Sequence, residues 1–116
     1  MLKDFEKFTK VGRSFRPKIS IRKQGQIGFN SGAIEKFGLD RYTYATLYIS
    51  KDRTKIAIAF TNDKNEEGAV KLLKRPGNYS VAAKSFFDYY GIDITRTKNY
   101  DAEWVEEEEA ILVNIK

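Results

Sequence analysis

Residues 17–38 (PKISIRKQGQIGFNSGAIEKFG) and 69–91 (AVKLLKRPGNYSVAAKSFFDYYG) set out the same parts in the same order, twice in one chain. An apolar-alternating run leads to a basic pair and a glycine turn; a short apolar run then enters a helix-like stretch that ends at glycine. Gly25 corresponds to Gly77, Phe29 to Val81, and Gly38-Leu39-Asp40 to Gly91-Ile92-Asp93. Each half continues into two strand-like runs around a charged turn. A chain of 116 residues makes one domain, so the repeats, about 17–62 and 69–116, must share a core. Residues 1–16 form an N-terminal arm. A doubled scaffold with two equivalent faces points to binding rather than catalysis.

The local periods set the elements. Ile19 and Ile21 alternate with Lys18, Ser20 and Arg22, the period of a half-buried strand. Residues 23–26 read as a hairpin turn in which Gly25 supplies a positive φ. Ile27 and Phe29 continue the alternation, and Asn30 or Ser31 caps a helix over 32–37 stopped by Gly38. Residues 42–50 and 55–60 form a hairpin around 51–54, with Tyr42, Tyr44 and Tyr48 on the face opposite Leu47 and Ile49. Residues 61–68 are polar and link the halves. The second half predicts a strand at 69–74, a turn at 75–78, a short strand at 79–81 and a helix within 80–90. A polar loop at 95–100 and a hairpin around the glutamates at 106–109 follow. The predicted fold is α+β and β-rich: two ββαββ units, antiparallel sheets, two short helices.

With no Cys and no His, thiolate nucleophiles, disulfides and the usual zinc sites are excluded. Phosphate-cradling loops and nucleophile-elbow patterns are absent from the chain. The expectation is a protein that is not an enzyme and uses no cofactor and no metal. The carboxylates at 101–109 alternate faces along a strand and converge poorly on a cation. No apolar run approaches the roughly 18 residues of a membrane span, and the N-terminus lacks a signal-peptide core. A cytoplasmic protein without a membrane partner is expected.

The net charge of +5 is unevenly placed. Residues 1–60 carry thirteen Lys or Arg against five Asp or Glu, whereas residues 101–116 carry one against six. Lys10, Arg13, Arg16, Lys18, Arg22 and Lys23 follow one another with no acidic side chain between them. Such a cluster neutralises phosphates and releases their counterions. Arg41, Lys51, Arg53 and Lys55 offer a second contact line, and basic hairpin tips at 51–55 and 74–75 could address a groove if both faced the same way. Tyr42, Tyr44 and Tyr48 beside Arg41 form a candidate base-stacking face.

Residues 22–60 resemble the swapped-hairpin DNA-binding family of AbrB-type regulators, on Gly25, Ile27, Phe29, Phe37, Gly38 and Leu39. The doubling is similar to the MraZ branch, which carries two such units in one chain, with an echo at Gly77, Val81, Tyr90, Gly91 and Ile92. Asn30 and Ser31 stand where that family usually has proline, and the helix holds Glu35 and Lys36 where it usually has arginine. The resemblance implies a DNA-binding transcriptional regulator, a homodimer or higher oligomer, acting on DNA rather than RNA. Two alternatives remain at this point: a single-stranded DNA or RNA binder using the tyrosine face, and a non-enzymatic protein–protein module whose basic arm meets an acidic partner.

Overall fold

The computed structural model describes residues 1–9 and 15–116. Their strands are β1 Lys18–Ile21, β2 Gln26–Asn30, β3 Tyr44–Ile49, β4 Lys55–Thr61, β5 Val70–Lys71, β6 Leu73–Arg75, β7 Asn78–Ala82, β8 Lys98–Asp101, β9 Glu103–Val105 and β10 Ala110–Asn114. The helices are α1 Ser31–Phe37 and α2 Lys84–Tyr90, and single 3-10 turns span Leu39–Arg41 and Glu106–Glu108. The α+β, β-rich class is as expected.

Two antiparallel sheets result, ordered β6-β7-β2-β1-β8 and β5-β3-β4-β10-β9. In the middle of each, a strand of the first repeat pairs with one from the second: β2 with β7, and β4 with β10. Gly28 lies opposite Ser80 in the first of these pairs. The alignment that matches Gly25 to Gly77 makes those same two residues equivalent. A residue paired with its own counterpart marks a local two-fold axis, so the duplication is written into the strand register.

Alternation decides which face is dry. Ile19, Ile21, Ile27, Phe29 and Val81 from the first sheet meet Ala45, Ile56, Ile58, Phe60, Ile111 and Val113 from the second in one buried cluster. Phe29 and Phe60 join the layers edge to face, ring centres 5.5 Å apart. Each fully buried aliphatic or aromatic side chain here contributes about 1.5–3 kcal/mol. Seven-residue helices are too short to hold themselves, so packing and caps sustain them. Asn30 caps α1: its Oδ1 accepts from the N–H groups of Ala33 (2.9 Å) and Lys18 (3.0 Å), and its Nδ2 donates to the Arg16 carbonyl (2.9 Å). One side chain thus ties the helix, β1 and the preceding segment together.

Two stretches differ from expectation. The run at 69–74 is not one strand: β5 pairs with β3, β6 with β7, and buried Leu72 sits at the switch, its N–H on the Thr43 carbonyl (2.9 Å). An alternating pattern gives the face of a residue, not which sheet it joins. The polar loop expected at 95–100 instead holds β8, which covers the free edge of β1. Only Tyr100 of β8 is half-buried, so this edge strand has no apolar alternation to betray it. The helix expected within 80–90 is α2, which starts at Lys84 because residues 78–82 are held in β7 by pairing.

Candidate nucleic-acid interface

Four segments meet at one end of the two sheets: the turn 22–25, the hairpin tip 50–54, the connection 91–98 and the end of β10. The Lys23 N–H donates to Thr97 Oγ1 (3.2 Å), and the Ile115 N–H to the Thr54 carbonyl (2.9 Å). Ile21 lies opposite Lys98, and Lys55 opposite Asn114. Pairing therefore brings Lys23, Lys51, Arg53, Lys55, Arg96 and Lys98 to the same end.

Two carboxylates, Asp52 and Asp93, share these connections, and both are engaged locally. Asp52 Oδ1 accepts from the Thr54 hydroxyl (2.7 Å), the Ser50 hydroxyl (2.7 Å) and the Thr54 N–H (3.0 Å). Those bonds, led by the Thr54 hydroxyl, hold its carboxyl down to about 2. Asp93 Oδ1 accepts from the N–H and hydroxyl of Thr95, which lower its pKa in the same way. These carboxylates shape their turns and leave a net positive end.

Between α2, β8 and the tip lies a cleft of about 270 Å³. Ile21, Ile49, Ile92 and Ile115 give it apolar surface, Tyr90 and Tyr100 flank it, and Arg53, Arg96, Lys98 and Lys116 rim it. Burial pushes the Tyr100 phenol up, keeping it neutral. The Arg53 guanidinium sits over the Tyr90 ring, 5.1 Å from its centre.

The solvent face of the first sheet continues from this end. The Arg22 side chain lies across Gly28, donating to Ser20 Oγ (3.2 Å), Gln26 Oε1 (3.2 Å) and Asn78 Oδ1 (2.9 Å). A Cβ at Gly28 would fall 2.1 Å from an Arg22 nitrogen, so the missing side chain is what makes room. All three acceptors are neutral, which leaves the positive charge uncompensated.

The other expected site residues are distributed as follows. Lys18 shares the Arg22 face, but its Nζ is 2.6 Å from Asp101, and Arg16 approaches the same carboxylate at 3.6 Å. The Lys18 hydrogen bond, then the Arg16 charge, lower the Asp101 pKa. At this exposure the pair adds little stability, but it offsets part of the basic front. Arg13 lies outside the described residues. Arg41 is a correction: β3 separates it from Lys51, Arg53 and Lys55, so no single contact line contains all four. Its guanidinium donates to the carbonyls of Gly38 (3.1 Å) and Phe37 (3.3 Å) and stacks over Tyr42, closing the C-terminus of α1.

The basic tips do not face the same way either. The turn after β6 adjoins the Asn30 end of β2, whereas the tip 50–54 adjoins the turn 22–25 at the other end. Lys74 is occupied near the 3-10 turn, donating to the Asp40 carbonyl (2.7 Å).

Among the tyrosines, Tyr42 departs from expectation. It precedes β3, is 4% exposed, packs on Phe60 and donates its hydroxyl to Glu109. Its ring is enclosed and cannot stack on a base. Tyr44 and Tyr48 do share the outer face of the second sheet, Tyr48 half exposed. Sequence reasoning misses Arg96, Lys98, Tyr90 and Tyr100; the one signal it had is the run TRTK, two cations in four residues with no acid.

The glutamates lie at the far end. Glu109 meets Tyr42, Glu106 accepts from Trp104, and the 3-10 turn at 106–108 adjoins the link after β4. Among the described residues no group of three or more acidic side chains could hold a metal ion. No helix there is long and apolar enough to cross a membrane. No family model, curated protein or solved structure matches the chain.

Proposed function

We propose that the protein binds nucleic acid with its basic end, as a small DNA-binding regulator that grips the phosphate backbone. One observation carries the reading: Lys23, Lys51, Arg53, Lys55, Arg96 and Lys98 come from three separate connections yet share one end, while the glutamate cluster lies at the other. Separated charges of this kind orient a polyanion and raise its encounter rate. Arg22 extends the binding surface onto the adjoining sheet face, where three side-chain acceptors fix its guanidinium before any phosphate arrives. Kinship with AbrB-type proteins is part of this proposal; the strand, turn, strand, helix and hairpin order on which that resemblance rests is present in the first half, while the second divides its first strand and inserts β8 before the hairpin.

The test is fluorescence anisotropy with labelled duplex DNA, single-stranded DNA and RNA at two salt concentrations. The wild type should bind at low salt, lose affinity steeply as salt rises, and favour DNA over RNA. Reversing Arg22 and Lys23 together to Glu should weaken binding more than ten-fold. It should also flatten the salt slope by about two, near one for each phosphate no longer neutralised. Unchanged affinity would refute the assignment. Absence of any binding at low salt would point instead to an acidic protein partner.

A further inference from the structure

We infer that the cleft beside α2 receives one unpaired nucleotide, its base lying on the Arg53 guanidinium and its phosphate between Arg96 and Lys98. The inference rests on the nucleic-acid reading and adds what that reading lacks, a preference for strands with free bases. Backbone neutralisation needs only charge on a convex surface. Here the charges surround a concavity with apolar surface, which a duplex backbone cannot enter but a single ring can. At about 270 Å³ the cleft lies near the lower limit of small-molecule sites, the size for one nucleotide and not for an extended cofactor.

Arg53 supplies the stacking surface. Its guanidinium is held against the Tyr90 face and donates to the Ser50 carbonyl (3.3 Å), while the residue stays exposed to solvent. Bases stack on arginine planes as they do on aromatic rings. Arg53 closes the hairpin turn with its N–H on the Ser50 carbonyl (2.9 Å) and has φ 66°, a left-handed conformation that glycine adopts freely and side-chain-bearing residues resist. Arg96 and Lys98 lie two apart, close to the half-buried Tyr100, and the Asp93 carboxylate between them and α2 is engaged by Thr95.

The test compares a ten-nucleotide oligo-dT strand with a blunt hairpin duplex of similar charge, closed by an ethylene-glycol linker so that it holds no unpaired base, for the wild type, R53G and the double variant R96Q/K98Q. The wild type should bind the strand at least ten-fold tighter than the hairpin. R53G relieves the backbone, so its Tm should be equal or higher; it also removes one cation of the basic end, so affinity for the hairpin falls a few-fold, while affinity for the strand falls about ten-fold further than that. R96Q/K98Q should weaken the strand more than the hairpin. Equal loss on both ligands with R53G, or no preference in the wild type, overturns the cleft assignment and leaves backbone binding intact. Failure to bind either ligand at low salt overturns the nucleic-acid reading and this inference with it.

Discussion

Arg22 and Arg53 are held in place by opposite means. Arg22 lies in a trough opened by the absent side chain of Gly28, whereas Arg53 reaches the Tyr90 ring from a left-handed position in a hairpin turn. Gly28→Ala therefore separates stability from function. The new Cβ meets the far end of the Arg22 side chain and Ser20 Oγ (2.6 Å), both of which can rotate away, so stability should change by less than about 1 kcal/mol in a denaturant titration. Arg22 loses its seat, and affinity for nucleic acid should fall several-fold. A large loss of stability would mean that the Arg22 network supports the fold rather than the surface. Tyr42 gives a prediction about pH. Burial first, then the Glu109 hydrogen bond, push its pKa from 10.0 to about 12. The folded state therefore resists ionisation. The stabilisation is complete below pH 10 and is lost as pH rises toward 12. Tyr42→Phe should cost about 0.5–1.5 kcal/mol at neutral pH for the lost hydrogen bond. Between pH 10 and 12 its Tm should fall less steeply than that of the wild type. Parallel curves would contradict the role given to burial.

Among the elements, the turn between β1 and β2 is the most tightly fitted joint. The Gly25 carbonyl accepts from the Ala83 N–H (2.8 Å), and a Cβ on Gly25 would lie 2.6 Å from Lys84 Cβ, at φ 94°. Gly25→Ala combines left-handed strain with a clash against the first turn of α2. It should cost about 2–4 kcal/mol by denaturant titration, overpacking and backbone strain together. A cost below about 1 kcal/mol would show that the turn moves away freely. The elements themselves were largely legible, because Ile19, Ile21, Ile27 and Phe29 alternate and Gly38 and Gly91 end their helices. β8 was not, since an edge strand burying one ring leaves no period. The division of 69–74 between two sheets was not either, for pairing partners are a property of the assembled chain.

Across the whole molecule, the doubled topology places the charge. Because β2 pairs with β7 and β4 with β10, the turn 22–25 and the tip 50–54 fall at one end, while Lys74, Arg41 and the glutamates fall at the other. The basic front was legible as composition but not as geometry. Arg41 joins the opposite end because β3 runs the length of the sheet between it and the tip 50–54. Arg96 and Lys98 join the basic end because β8 pairs with β1. A charge-reversal pair at the far end, R41E/K74E, should leave affinity within about two-fold, apart from any loss of fold that circular dichroism would reveal. The most direct test of the basic end as the binding surface is amide chemical-shift mapping during titration with a short oligonucleotide. Perturbations should concentrate at residues 22–25, 50–55, 91–98 and 114–116. Shifts concentrated at 38–43, 61–68 and 105–109 would contradict a basic-end grip.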